Sequence, residues 1–150
     1  MENNGTVIRS VEKKGCRTAN SEYIFHVSPY SNDEKMGFYE ACFKNAGQNK
    51  SLHYHRIMTE IFTVLHGEFY FNIGNEEYML KANDTIIIPP SVIHGFRAKL
   101  PNSRLQFIFT NVIDRKDFFI GLAKIANGEM ILNETELETF YNKYDQFSVK

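Results

Sequence analysis

Through the first two thirds of the chain, apolar and polar residues alternate in runs too short for helices. Tyr23–Val27, Gly37–Phe43, Glu60–Leu65 and Phe69–Ile73 are rich in aromatic and β-branched residues and are bounded by polar, turn-forming ones. That composition suits a pleated strand buried on one face. Thr6–Val11 predicts a short strand at the start, followed by a loop from Gly15 to Asn20. The turn-rich Ser28–Asp33 separates the next two strands. Gly74-Asn75, set between Phe69-Tyr-Phe and Tyr78-Met-Leu, predicts a hairpin. Thr85–Ile88 is ended by Pro89-Pro90, which cannot continue a central strand. His94, Phe96 and Ala98 then share one face, opposite Gly95 and Arg97, and Arg104–Thr110 closes the series. Many short strands with frequent turns predict a sandwich or barrel.

After residue 113 the period changes. Asp114 can cap a helix carrying Phe118, Leu122 and Ile125 on one face and ending near Gly128. Asn133 with Glu136 forms a capping-box start. Leu137, Phe140, Tyr141 and Tyr144 follow the spacing of a second amphipathic helix. These aromatics are expected to pack the helices on the barrel or on a partner chain.

Composition narrows the class. A chain of 150 residues fits one domain, with a barrel core over about 20–113 and a helical appendage over about 114–146. Its 13 phenylalanines and 8 tyrosines predict a strongly aromatic interior. A net charge of −1 without a basic cluster argues against nucleic acid or an anionic membrane as partner. No apolar run is long enough to span a bilayer, and Met1–Thr6 has no signal-peptide pattern. Cys16 and Cys42, the only cysteines, suggest reduced thiols in a cytoplasmic protein. Cys42, in an apolar run, reads as a packed core residue.

The chemistry concentrates in two clusters. The first is Gly47-(x)5-His53-x-His55-(x)4-Glu60-(x)6-Gly67; the second is Asp84-(x)4-Pro89-(x)4-His94. Residues two apart on a strand share a face with Cα atoms about 6.6 Å apart, so two imidazoles there can converge on one ion. On a helix they point about 200° apart and cannot. Glu60 lies five residues past His55, where strict alternation would turn it away. The segment Arg56–Thr59 must therefore bend, bulge or cross to a neighbouring strand. His53, His55, Glu60 and His94 are the candidate metal ligands; Glu60 is a ligand that could also act as a base. His26 and His66 fall outside the pattern and read as structural or solvent-facing, and Tyr54 should point away from the site.

Both clusters resemble the two motifs of the cupins. The first matches at Gly47, His53, His55, Glu60 and Gly67. The second departs from the family pattern: Asn83 and Ser91 stand at glycine positions and Ala98 at an asparagine position, while Pro89 and His94 are kept. Asn tolerates left-handed backbone and Ser suits turns, so neither change touches a ligand. The resemblance implies an all-β cupin double-stranded β-helix, a jelly-roll barrel, with short C-terminal α-helices like those of small cupins related to quercetin dioxygenases. It also implies a homodimer.

A divalent transition metal (iron, manganese, nickel, zinc or copper) held by three neutral imidazoles and one carboxylate keeps a net charge of about +1 and open positions for chemistry. Phe62, Val64, Phe69, Phe71 and Phe96 are candidate pocket or core residues, and an apolar pocket suits a flat or hydrophobic small-molecule substrate. The resemblance implies a metal-dependent, quercetinase-like oxygenase acting on an apolar or enediol substrate. The same ligands would support a sugar or keto-acid isomerase or lyase, or a metal-holding cupin that binds a small molecule without turnover.

Overall fold

The computed structural model describes residues 6–28, 36–111 and 114–149. The turn expected over Ser28–Asp33 lies, beyond Ser28, outside the described residues. Among the described residues, eleven strands and two α-helices follow in chain order: β1 Lys14–Arg17, β2 Ser21–Val27, β3 Met36–Phe43, β4 His53–Tyr54, β5 Thr59–His66, β6 Glu68–Ile73, β7 Glu76–Lys81, β8 Thr85–Ile88, β9 His94–Ala98, β10 Ser103–Thr110, α1 Lys116–Ala126, α2 Glu134–Lys143 and β11 Phe147–Ser148. Two antiparallel sheets form the jelly roll, in the orders β1-β2-β3-β10-β5-β8 and β11-β4-β9-β6-β7.

The core lies between the sheets. On β5 the buried positions are Glu60, Phe62 and Val64, at the period of two that a half-buried strand requires. On β10 they are Ser103, Leu105, Phe107 and Phe109. Phe62 meets Phe71, Phe96 and Phe107 at ring-centroid distances of 5.0, 5.3 and 5.4 Å, all tilted edge to face. Gly74 opens the β6–β7 hairpin with a φ of 56°, a left-handed conformation that glycine adopts without strain.

Two local expectations fail at the N-terminal end. Thr6–Val11 is not a strand: Ser10–Glu12 forms a 3-10 turn, and Val7 and Val11 are exposed. The loop expected over 15–20 is in part a strand, since Lys14–Arg17 pairs with Glu22–Phe25 as a sheet edge. Its polar residues carry no strand pattern, and the pairing comes from the β2 edge that they cover.

The appendage is helical as its periodicity predicts. Asn133 caps α2 with the full capping box: its side chain accepts the Glu136 N–H at 3.0 Å, and the Glu136 carboxylate accepts the Asn133 N–H at 2.9 Å. Asp114 accepts the Lys116 N–H at 2.9 Å, although the helix itself begins one residue after Arg115. Phe118 of α1 stacks on Phe140 of α2 at 5.6 Å. No described helix is long and apolar enough to cross a membrane.

Candidate metal centre

His53, His55, Glu60 and His94 converge, with one donor atom from each within 4.8 Å of all the others. Three different backbone devices bring them together. His53 on β4 lies directly opposite His94 on β9, so those two imidazoles are cross-strand neighbours with centroids 4.4 Å apart. His55 follows His53 by two and stays on its face. The chain then leaves the second sheet, crosses over residues 55–58, and enters the first sheet as β5, which presents Glu60 from the opposite side. The crossing is the bend that the spacing of His55 and Glu60 demands.

Each imidazole is oriented through Nδ1. His53 Nδ1–H donates to the Ser51 carbonyl at 2.8 Å, His55 Nδ1–H to the Asp145 carbonyl at 2.6 Å, and His94 Nδ1–H to the Val92 carbonyl at 2.9 Å. A carbonyl can only accept, so these contacts fix the tautomer and leave all three Nε2 atoms for the centre of the cluster. There, Glu60 Oε2 sits 3.1 Å from His55 Nε2 and 3.0 Å from His94 Nε2. One carboxylate oxygen facing two Nε2 lone pairs needs a cation between them, either a proton shared with an imidazole or a metal ion. Three nitrogens and one carboxylate are a donor set suited to a divalent transition metal, and the geometry fits one.

The electrostatics agree. Burial pushes the His53 imidazole down to about 3, helped by its neighbour His94, so the ring is neutral at any physiological pH and available as a donor. Burial works against the Glu60 charge, but the contacts from His55 and His94 outweigh it and hold the carboxyl well below its usual range.

Asp145, which the sequence reading did not single out, holds the crossing. Its carboxylate accepts three successive backbone N–H groups, from Arg56 at 2.9 Å, Ile57 at 2.9 Å and Met58 at 3.0 Å. Its own carbonyl orients His55, and its backbone sits at a φ of 58°. One buried residue 90 positions from His55 in sequence therefore supports both that ligand and the turn that delivers Glu60. Next to it, β11 pairs with β4, setting Ser148 opposite His53 and stacking Phe147 on Tyr54 at 5.4 Å. Tyr54 thus points away from the cluster. The local signal for Asp145 is slight: an Asx residue just past a helix end, where left-handed backbone is common.

A cavity of about 390 Å³ opens beside the cluster, lined by His53 and Glu60 together with aromatic side chains. Phe96 is among the lining residues. Phe62, Val64, Phe69 and Phe71 are not; all four are fully buried in the core behind it. The walls come instead from Phe43 and Phe107 and, on the far side, from Phe118, Phe119 and Leu122 of α1. The C-terminal appendage thus closes the cavity as well as packing on the barrel. Asn45, Gln48, Asn49 and Lys50 line it from the loop before β4. The thiol of Cys16 lies outside the lining, pushed up to about 11 by burial and bonded to the Phe119 carbonyl at 3.4 Å. His26 bonds to Glu40 at 3.2 Å on the sheet of β2 and β3, and His66 is exposed, so neither joins the cluster.

The two glycine positions that this sequence fills otherwise are both left-handed. Asn83 has a φ of 76° and Ser91 a φ of 69°. The Ser91 N–H donates to the His55 carbonyl at 2.6 Å, tying the loop before His94 to the other ligand segment.

The cupin domain family model matches residues 42–109, a span that contains all four residues of the cluster. Among solved structures, KdgF from Halomonas sp. is 17% identical with a TM-score of 0.62, covering 72% of this chain and 94% of its own. FeII HppE is 13% identical with a TM-score of 0.62, covering 73% of this chain and 62% of its own. An RmlC-like cupin from Shewanella frigidimarina is 17% identical with a TM-score of 0.56, covering 79% of this chain and 99% of its own. Identities this low speak to the fold. The comparison with curated proteins finds no match.

Proposed function

We propose that this chain, which belongs to the cupin superfamily, is a metal-dependent enzyme acting on a small molecule in the cavity, with quercetinase-like oxygenase chemistry as its reaction class. The observation that carries the reading is the opening of the four-residue cluster onto a cavity through His53 and Glu60. A site closed by protein on all sides would be structural, whereas an ion preferring five or six ligands keeps positions free toward that space. A divalent transition metal would supply Lewis-acid polarisation there and, if redox-active, reactivity with oxygen.

The protein's own contribution is orientation and dryness. The Nδ1 bonds to Ser51, Asp145 and Val92 aim the three Nε2 atoms, and the aromatic walls exclude water from the reacting side of the substrate. Glu60, held ionised by His55 and His94, would serve as a ligand, and it is the only carboxylate among the described residues lining the cavity.

A second reading, a metal-dependent isomerase or lyase working without oxygen, draws on the polar side of the same cavity. Arg115 and the amides of Asn45, Gln48 and Asn49 suit an oxygen-rich substrate better than a wholly apolar one. The two readings separate on an oxygen electrode. Protein purified without a chelating tag is first analysed for elements, and about one transition metal per chain is expected. Oxygen uptake with a flavonol or an enediol, abolished by chelation, is the expected result. Turnover of a sugar acid under argon without uptake would replace the first reading by the second. Unchanged ligand under any gas would leave a binding protein.

A further inference from the structure

Arg115 is the outstanding group that the metal centre does not absorb. It is 3% exposed, at the start of α1, and its guanidinium lies 3.8 Å above the Phe118 ring centroid and 5.0 Å from that of Phe109. Nη1 donates to the Tyr144 carbonyl at 2.9 Å and Nη2 to Gln146 Oε1 at 2.8 Å, both uncharged acceptors. Nε–H is buried and has no acceptor among the described residues. No carboxylate among them lies within ion-pair distance of the group. Burial pushes the guanidinium down to about 10, opposed by the more distant Glu60 and Asp145 carboxylates, which compensate it only in part and leave it charged at neutral pH. Buried charges are ordinarily paired, because an uncompensated one costs several kcal/mol.

The same cavity shows what would compensate it. Of the cations lining it, Lys50 and Arg97 both contact Glu77, at 3.5 and 2.9 Å. Arg115 has no such partner. Glu60, the only carboxylate in the lining, is committed to the histidine cluster. A divalent metal there would consume the Glu60 charge and leave the cavity more positive still. The remaining wall is aromatic and aliphatic, from Phe43, Phe96, Phe107, Phe119 and Leu122.

We propose that this cavity takes a small organic carboxylate with an aromatic or apolar body, and that the Arg115 guanidinium is the group that binds the carboxylate. Gln146, which also lines the cavity, holds Nη2 through a neutral oxygen, and a carboxylate is the stronger acceptor. A planar fork matches a carboxylate, whereas a phosphate dianion would call for several unpaired cations where one is present. The inference deepens the metal-enzyme reading and rests on it for the body of the substrate lying toward the cluster. The contact with Arg115 itself does not require the metal.

Ligand-observed NMR titrations of the full chain with benzoate and with benzamide, metal-loaded and metal-free, test the assignment. Wild type should favour benzoate by about tenfold or more in both states, the value of one charge-assisted contact. Arg115→Met should bring the preference near unity without changing metal content. Arg115→Lys, which keeps the charge and loses the fork, should restore it in part. A preference that appears only with metal, or survives in folded Arg115→Met, would place the carboxylate on the metal and overturn the assignment. Equal binding of the two probes to wild type would overturn it as well. Should Arg115→Met fail to fold, Arg115→Lys and the metal-free wild type still decide. Elemental analysis of the same samples reads the metal-centre proposal separately, so either can fail without the other.

Discussion

Replacing Asp145 removes the side chain that ties the C-terminal segment to the crossing between His55 and Glu60. Its carboxylate accepts the N–H groups of Arg56, Ile57 and Met58 at 2.9–3.0 Å. In Asp145→Ala the Met58 N–H, beside a fully buried side chain, loses a charged acceptor with no water to replace it, at a cost of about 2–3 kcal/mol. The Arg56 and Ile57 N–H groups belong to exposed residues and can turn to water, so each contributes only about 0.5–1 kcal/mol. A φ of 58° adds about 1 kcal/mol for a residue that tolerates the left-handed region less well than Asp. The expected loss is then about 4–6 kcal/mol, a large part of the stability of a domain this size.

Asp145→Asn gives a graded control. Its single carbonyl can keep the two N–H bonds now made to Oδ2, while its amide faces the Arg56 N–H, so a loss of about 1–2 kcal/mol is expected. Urea unfolding of the metal-free proteins measures both. Competition with a metallochromic chelator should show metal affinity falling by about 10–100-fold in the alanine variant, because the His55 carbonyl partner shifts with the same residue. A stability change below about 1 kcal/mol, together with an affinity change below threefold, would refute the reasoning.

Three further outcomes follow from the same geometry. Changing both His53 and His94 to alanine should abolish metal uptake while the fold persists; chelation should then lower the melting temperature of wild type but not of the double variant. Glu40 is held below its ordinary value of 4.5: burial opposes its charge, but hydrogen bonds from Arg104 and His26 prevail. Its contribution to stability is therefore whole above pH 4.5 and is lost as pH falls through the lower folded value. The stability gap between wild type and Glu40→Gln should be constant at neutral pH and shrink on acidification, and a gap that widens would contradict the assignment. Ser91→Gly relieves a φ of 69° at the cost of a freer unfolded chain, so denaturant titration should show a change between zero and about 1 kcal/mol in the stabilising direction.

What the sequence could and could not reveal divides along the range of the interactions. Period-two alternation and turn residues act locally, and they marked out most strands from Ser21 to Thr110, the hairpin at Gly74 and the capping box at Asn133. Asn83 and Ser91 were legible in the same way, since residues standing at glycine positions of a motif foretell the left-handed backbone found there. Thr6–Val11 misled because apolar residues alone do not make a strand; an edge must be available to pair with, and Lys14–Arg17 takes the edge of β2 instead. The spacing of His55 and Glu60 required a bend but could not say what would hold it.

The holding group, Asp145, and the unpaired cation, Arg115, both act across long chain separations, and no periodicity reports on that. The aromatic positions show the same limit. Alternation assigned Phe62, Val64, Phe71 and Phe96 to the inward side, but depth between the sheets decides which inward residue meets solvent or substrate. Strand β9 pairs with β4, which carries His53, and Phe96 lines the cavity while the other three are fully buried in the core. The far wall is supplied by α1, whose Phe118, Phe119 and Leu122 look from sequence like ordinary packing residues. The candidate ligands lie on strands or, for His55, just past one, and their local spacing announces them. Substrate selection here depends on a helix whose pattern announces only that it is amphipathic, so relatives sharing the four ligands but differing at Arg115 should differ in the charge of what they bind.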